Sequence, residues 1–179
     1  MEADPWPFSA TERMLAEEEA AARRTIKELD SAESDENEFY ILARAPLAYL
    51  ILGAPIEAKE ASLRALDLAE KFPANWNYGN AIHNANLALG LLAFEAGAID
   101  LAKSHLEKAG TTPGSPQLAS FGPNMRLAKR LLEAGETEAV NCYFDECARF
   151  WKHGGEWLRI WRRKVAGGEI PHFHMHLNV

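Results

Sequence analysis

Residues 77–122 read NYGNAIHNANLALGLLAFEAGAIDLAKSHLEKAGTTPGSPQLASFG, and the parsing of this run decides the fold. Apolar and small residues recur at helical spacing from Tyr78 to Ala96 and again from Ile99 to Ala109, divided by Gly97-Ala98. Gly97 suits the left-handed cap that ends a helix. Gly90 and Ala93 on the first segment, and Ala102 and Ala109 on the second, stand where two antiparallel helices touch. Leu89, Leu92 and Leu106 supply bulk beside them. The run thus predicts one helical hairpin. GTTPGSPQLASFGP follows, and its three prolines and three glycines forbid a regular helix. A segment this long in a compact domain is functional or disordered. Leu118 and Phe121 give it apolar groups to fold back on the core, so an ordered loop is expected over 111–123.

Working outward, the same offsets recur twice. Gly53 stands to Ala58 and Ala65 as Gly97 stands to Ala102 and Ala109. Leu127-Ala128, Gly135, Val140, Phe144 and Cys147 form a further copy, and the three glycines lie 44 and 38 residues apart. Leu89-Gly90, Gly97, Ala102, Leu106 and Ala109 fall on the small and large packing positions of a tetratricopeptide repeat, which the hairpin resembles; Pro113 comes one residue early. The spacing exceeds the roughly 34 residues of closely stacked units, and Val140 and Cys147 replace small alanines. The stretch TPGSPQLASFGPNMRLAKRLLEAGE is similar to uncharacterised bacterial tetratricopeptide-like proteins. The resemblance implies an all-α fold of antiparallel helical hairpins stacked as a short tetratricopeptide-like superhelix, with about eight helices in a single domain over 1–179. It implies a recognition scaffold and names no ligand.

The flanking segments fit that reading. Residues 1–8 form a lead-in whose Trp6 and Phe8 tuck against the body, and Ser9 with Glu12 is a capping-box pattern starting a helix to about Leu29. Asp35 and Glu38 offer a second box before an apolar helix, Phe39 to Leu52, which Pro46 should kink or break. Pro55 opens a helix that Pro73 stops. Further helices are expected over Pro123–Ala134, Thr137–Lys152 and Glu156–Ala166, and residues 169–179 form a tail without helical pattern.

Composition limits the function classes. A net charge of -7 over 179 residues argues against a general nucleic-acid binder. The basic face Arg159, Arg162, Arg163, Lys164 is matched by acidic residues in the first forty positions or by a second subunit. Cys142 and Cys147 are five apart on one helix and point in different directions, which suits two buried thiols in a reducing compartment. No apolar run is long enough to cross a bilayer and no export signal is visible, so the expected setting is cytoplasmic.

Three residue sets are candidates for chemistry. Asn80, His83 and Asn84 share one helical face next to Tyr78, and asparagine is a poor helix former, so something must reward these amides. They hydrogen-bond a peptide or small polar ligand, or they cap helix ends and anchor the nearby loop. The resemblance puts Asn84 on the groove-facing side. Gln117, Ser120, Asn124 and Arg126 either frame that groove with the loop or plug it. His172, His174 and His176 alternate, as metal ligands on an extended segment would. No metal and no cofactor is assigned. No nucleophile elbow, phosphate-binding glycine loop, HExxH or paired CxxC is present. The leading reading is a non-enzymatic interaction module whose groove binds a protein or peptide segment, or a second copy as a homodimer. The alternative is a small-molecule binding protein or enzyme with a closed pocket around His83 and its neighbouring asparagines.

Overall fold

The computed structural model describes residues 12–177. The lead-in, with Trp6 and Phe8, and the Ser9 cap lie outside the described residues. The described residues form ten α-helices: α1 Glu12–Asp30, α2 Asp35–Leu42, α3 Ala45–Ile51, α4 Pro55–Lys71, α5 Tyr78–Glu95, α6 Ile99–Gly110, α7 Pro116–Phe121, α8 Arg126–Glu133, α9 Thr137–Phe150 and α10 Gly155–Ala166. A 3-10 turn, His174–Leu177, follows.

The all-α class is as expected, and the two helices beyond eight have physical causes. Pro46 lacks an N–H, so a helix cannot run through it with its bonds intact. The chain breaks at Ala43-Arg44, and Pro46 sits in the first turn of α3, where the missing donor costs nothing. The cap of α2 is Ser34, which accepts from the Asn37 N–H at 3.2 Å, not the Asp35–Glu38 box. The Pro-rich loop is ordered and contains α7. Ser115 caps it by accepting from the Leu118 N–H at 3.0 Å, and Pro116 occupies its first turn. Leu118 is buried, whereas Phe121 is 74% exposed and does not return to the core.

The hairpin turns are alike. Gly53, Gly97 and Gly135 have φ of +71°, +75° and +85°. In each, the next residue's N–H bonds a carbonyl five residues back: Ala54 to Tyr49, Ala98 to Ala93 and Glu136 to Leu131, all at 2.9 Å. This is the Schellman closure, and only glycine takes its left-handed position without steric cost. A fourth such turn, absent from the expected set, ends α10, with Gly168 at φ +79° and the Glu169 N–H on the Lys164 carbonyl at 2.9 Å.

The turns fold α3 on α4, α5 on α6 and α8 on α9; α4 also packs on α5, α6 on α9, α10 on α9, and α1 along α3. Contact positions are filled by small or fitted side chains, with Ala58, Ala65, Ala102, Ala109, Val140 and Cys147 fully buried. A Cβ on Gly90 would collide with Leu127 and crowd His105. α5 joins two cores. Ala81 and Ala85 pack with Phe39, Leu42 and Leu68, while Leu87 and Ala88 belong to a larger cluster running to Phe144, Trp161 and Phe173.

One local expectation is corrected, that both thiols are buried. Cys147 is buried but Cys142 is exposed. Two basic residues of α10 pair close to home, Arg162 with Asp145 at 2.6 Å and Arg159 with Glu156 at 2.5 Å. The 169–177 segment is packed: Phe173 is fully buried and His176 nearly so. Phe173 and His174 are left-handed, at φ +57° and +47°, a conformation that costs non-glycine residues on the order of 1–3 kcal/mol each. Burial of Phe173 against Phe144 and Trp161 offsets that strain. Among the described residues, no helix is long and apolar enough to cross a membrane.

Candidate functional site

A cleft of about 340 Å³ opens where the α2–α3 corner, α5, α7, the α7–α8 connection and the 3-10 turn meet. α5 supplies its wall because Asn77, Asn80, His83 and Asn84 lie three or four residues apart on one face.

His83 is at the centre and fully buried. Its Nδ1 lies 2.9 Å from the Ala109 carbonyl, and the Asn124 N–H donates to its Nε2 at 3.2 Å. A carbonyl only accepts, so Nδ1 carries the proton and Nε2 is the acceptor; the ring is neutral with both nitrogens engaged. Burial lowers its pKa to about 4, against a smaller opposing effect of the Ala109 bond. Tyr143 stacks alongside at 6.4 Å between centroids, and its hydroxyl donates to the Asn124 carbonyl at 2.9 Å. His83 thus fastens the end of α6 to the start of α8.

The asparagines toward the start of α5 hold the loop. Asn80 donates to Asn77 at 2.9 Å and to Gln117, and accepts from the Ser115 hydroxyl at 2.6 Å. Asn77 donates to the Tyr40 carbonyl at 3.2 Å. One turn away, the Thr112 hydroxyl donates to the Gly79 carbonyl at 3.0 Å. A side chain on Gly79 would run into the Gly114 backbone, so this glycine lets the loop come down onto α5. The loop frames the cleft from one side while Asn80 anchors it.

Asn84 is different. Its Nδ2 donates to the Ala43 carbonyl at 2.8 Å; the half-buried side chain lines the cleft, and its Oδ1 has no partner among the described residues. Gln117 accepts from Asn80 and from the Trp76 indole at 3.3 Å, and its amide nitrogen keeps its donors. Around the mouth, Tyr40 is 46%, Phe121 74% and Met175 71% exposed. The Arg44 guanidinium lies 5.8 Å from the Tyr40 ring centroid and pairs with Glu28. Among the described residues, no carboxylate lines the cleft and Arg44 is its one charged side chain.

The structure therefore brings Asn80, His83, Asn84, Gln117 and Asn124 together. Tyr78 is half-buried against the smaller core and does not line the cleft. Arg126 is turned away: it donates to the Leu177 carbonyl and pairs with Glu18. Asn124 gives its backbone N–H to His83, and its Oδ1 accepts from the Arg126 N–H at 2.9 Å. The three tail histidines do not converge. His176 turns into a box of Trp151, Trp157 and Trp161, while His174 packs on the Trp157 ring at 5.9 Å and lies 6.2 Å from His172, measured between ring centroids. Among the described residues, no group of three His, Cys, Asp or Glu is placed to hold a metal ion. Tyr40, Arg44 and Met175 had no local signal, since nothing in an apolar helix or an unpatterned tail announces the rim of a cleft.

No family model, curated protein or solved structure matches the chain.

Proposed function

We propose that the protein is a tetratricopeptide-like interaction module whose cleft takes a short, uncharged, apolar peptide segment. The observation that carries this reading is the contrast between an engaged floor and an unengaged rim. His83 and Asn80 are occupied within the chain, while Tyr40, Phe121 and Met175 offer exposed apolar surface around the free Asn84 carbonyl and the Gln117 amide. Apolar anchors with a few placed polar groups are what a peptide-recognition groove needs. Among the described residues the lining holds no carboxylate, which leaves this cleft without the acidic bias of the whole chain. The repeated glycine turns and small contact residues support the tetratricopeptide-like assignment. A closed pocket with His83 as general base has less support, because neither ring nitrogen is available to a ligand.

A displayed peptide library tests the reading. Selection on the full chain should enrich apolar sequences whose synthetic versions bind at micromolar affinity, and Phe121→Asp should weaken them at least tenfold without changing the helical circular dichroism signal. No enrichment, or equal binding to Phe121→Asp, would contradict it.

A further inference from the structure

The cleft does not end where it closes. Its far wall is made by Met175 and His176, and behind them lies the three-tryptophan box. His176 sits 4.8 Å from Trp151, 5.2 Å from Trp161 and 6.5 Å from Trp157, measured between ring centroids. Gly122 separates cleft from box, and any side chain there would strike Trp151 and His176.

The 169–177 segment is attached as a bound peptide would be. The Met125 N–H donates to the His176 carbonyl at 2.7 Å, the His176 Nδ1–H to the Pro123 carbonyl at 3.1 Å, and Arg126 Nε to the Leu177 carbonyl. One aromatic anchor, Phe173, fills a pocket against Trp161 and Phe144. Its conformation is poised. The segment leaves α10 through Gly167-Gly168, and Phe173 and His174 are both left-handed. The turn at Gly168 has the same closure as the three that precede α4, α6 and α9, yet here the chain crosses toward the cleft.

We propose that residues 169–177 are a built-in occupant of a groove longer than the open cleft. One half, from Tyr40 to Phe121, faces solvent; the other is filled in cis and released to admit a partner segment of like chemistry. That partner carries a buried aromatic side chain and, three residues on, a flat ring with an N–H donor, its main-chain carbonyl meeting the Met125 N–H. This rests on the peptide-cleft reading and adds to it the second half of the site and its control.

Amide hydrogen exchange on the full chain reads the release directly. The Met125 amide should exchange at least a hundredfold faster than the Ala88 amide of α5, through an opening that leaves the helices intact. His174→Gly relieves a left-handed residue and should slow Met125 severalfold with Ala88 unchanged. Met125 exchanging as slowly as Ala88 would overturn the proposal. In trans, a labelled peptide EIPHFHMHL, residues 169–177, should bind the full chain carrying Phe173→Ala at least tenfold tighter than the unaltered chain. Should that variant not fold, His176→Ala replaces it. No binding to a folded variant would also overturn the proposal. Library peptides that bind while Met125 stays fully protected would leave the cleft reading standing and this one refuted. Release without any library peptide would do the reverse.

Discussion

The floor and the rim of the cleft are built from the same kinds of residue and used differently. On the floor, Asn80 and His83 have their hydrogen-bonding atoms occupied by the loop, α6 and the start of α8. On the rim, Asn84 and Gln117 keep groups unoccupied beside exposed Phe121 and Met175. The lesson is that a polar cluster on a helix does not by itself mark a ligand site. What decides is whether the fold already uses its donors and acceptors, because an unsatisfied buried group costs more than a satisfied one contributes.

Substitutions should separate the two regions. His83→Ala removes the partners of the Asn124 N–H and the Ala109 carbonyl and leaves a cavity beside Tyr143. Two stranded backbone groups plus a cavity should destabilise by about 3–5 kcal/mol in chemical denaturation. A loss below about 1 kcal/mol would show that the floor is not structural. Smaller effects are expected at Asn80, one turn before His83, and at Asn84, the next residue. Asn80→Ala strands the Ser115 hydroxyl and should cost about 1–3 kcal/mol. Asn84→Ala loses a single partly exposed bond to Ala43 and gains helix propensity, so its change should stay under about 1 kcal/mol. Equal losses at the two positions would erase the distinction between floor and rim.

The parts legible in the sequence were those with local causes. Gly53, Gly97 and Gly135 stand out because a left-handed turn demands glycine, and the alanines at fixed offsets follow from helix contact. Pro46 announced a break, but where the chain bends depends on Pro46 being able to occupy a first turn. The same rule hid α7, whose prolines read as breakers although Pro116 initiates it behind the Ser115 cap. Asn80, His83 and Asn84 were visible as one polar face. Their partners, Gln117, Ala109, Asn124 and Ala43, lie 26 to 41 residues away, and no local pattern reveals that. Phe121 misled for a related reason: an aromatic residue in a loop suggests an anchor, and here Leu118 takes that place.

The pH response of His83 tests the division between floor and rim most directly. Its folded pKa lies near 4, below the usual 6.5 of an unfolded chain, because burial disfavours the charged ring. The unfolded state therefore binds the proton first, and stability from this residue is complete above about pH 6.5 and is lost as pH falls toward 4, by about 3 kcal/mol in all. Nitrogen-detected magnetic resonance of the imidazole reads this without any ligand. The ring should be neutral with the proton on Nδ1, an accepting Nε2, and no titration down to at least pH 5. A ring that titrates near 6.5, or that carries its proton on Nε2, would contradict the floor as described and return His83 to the candidates for ligand chemistry.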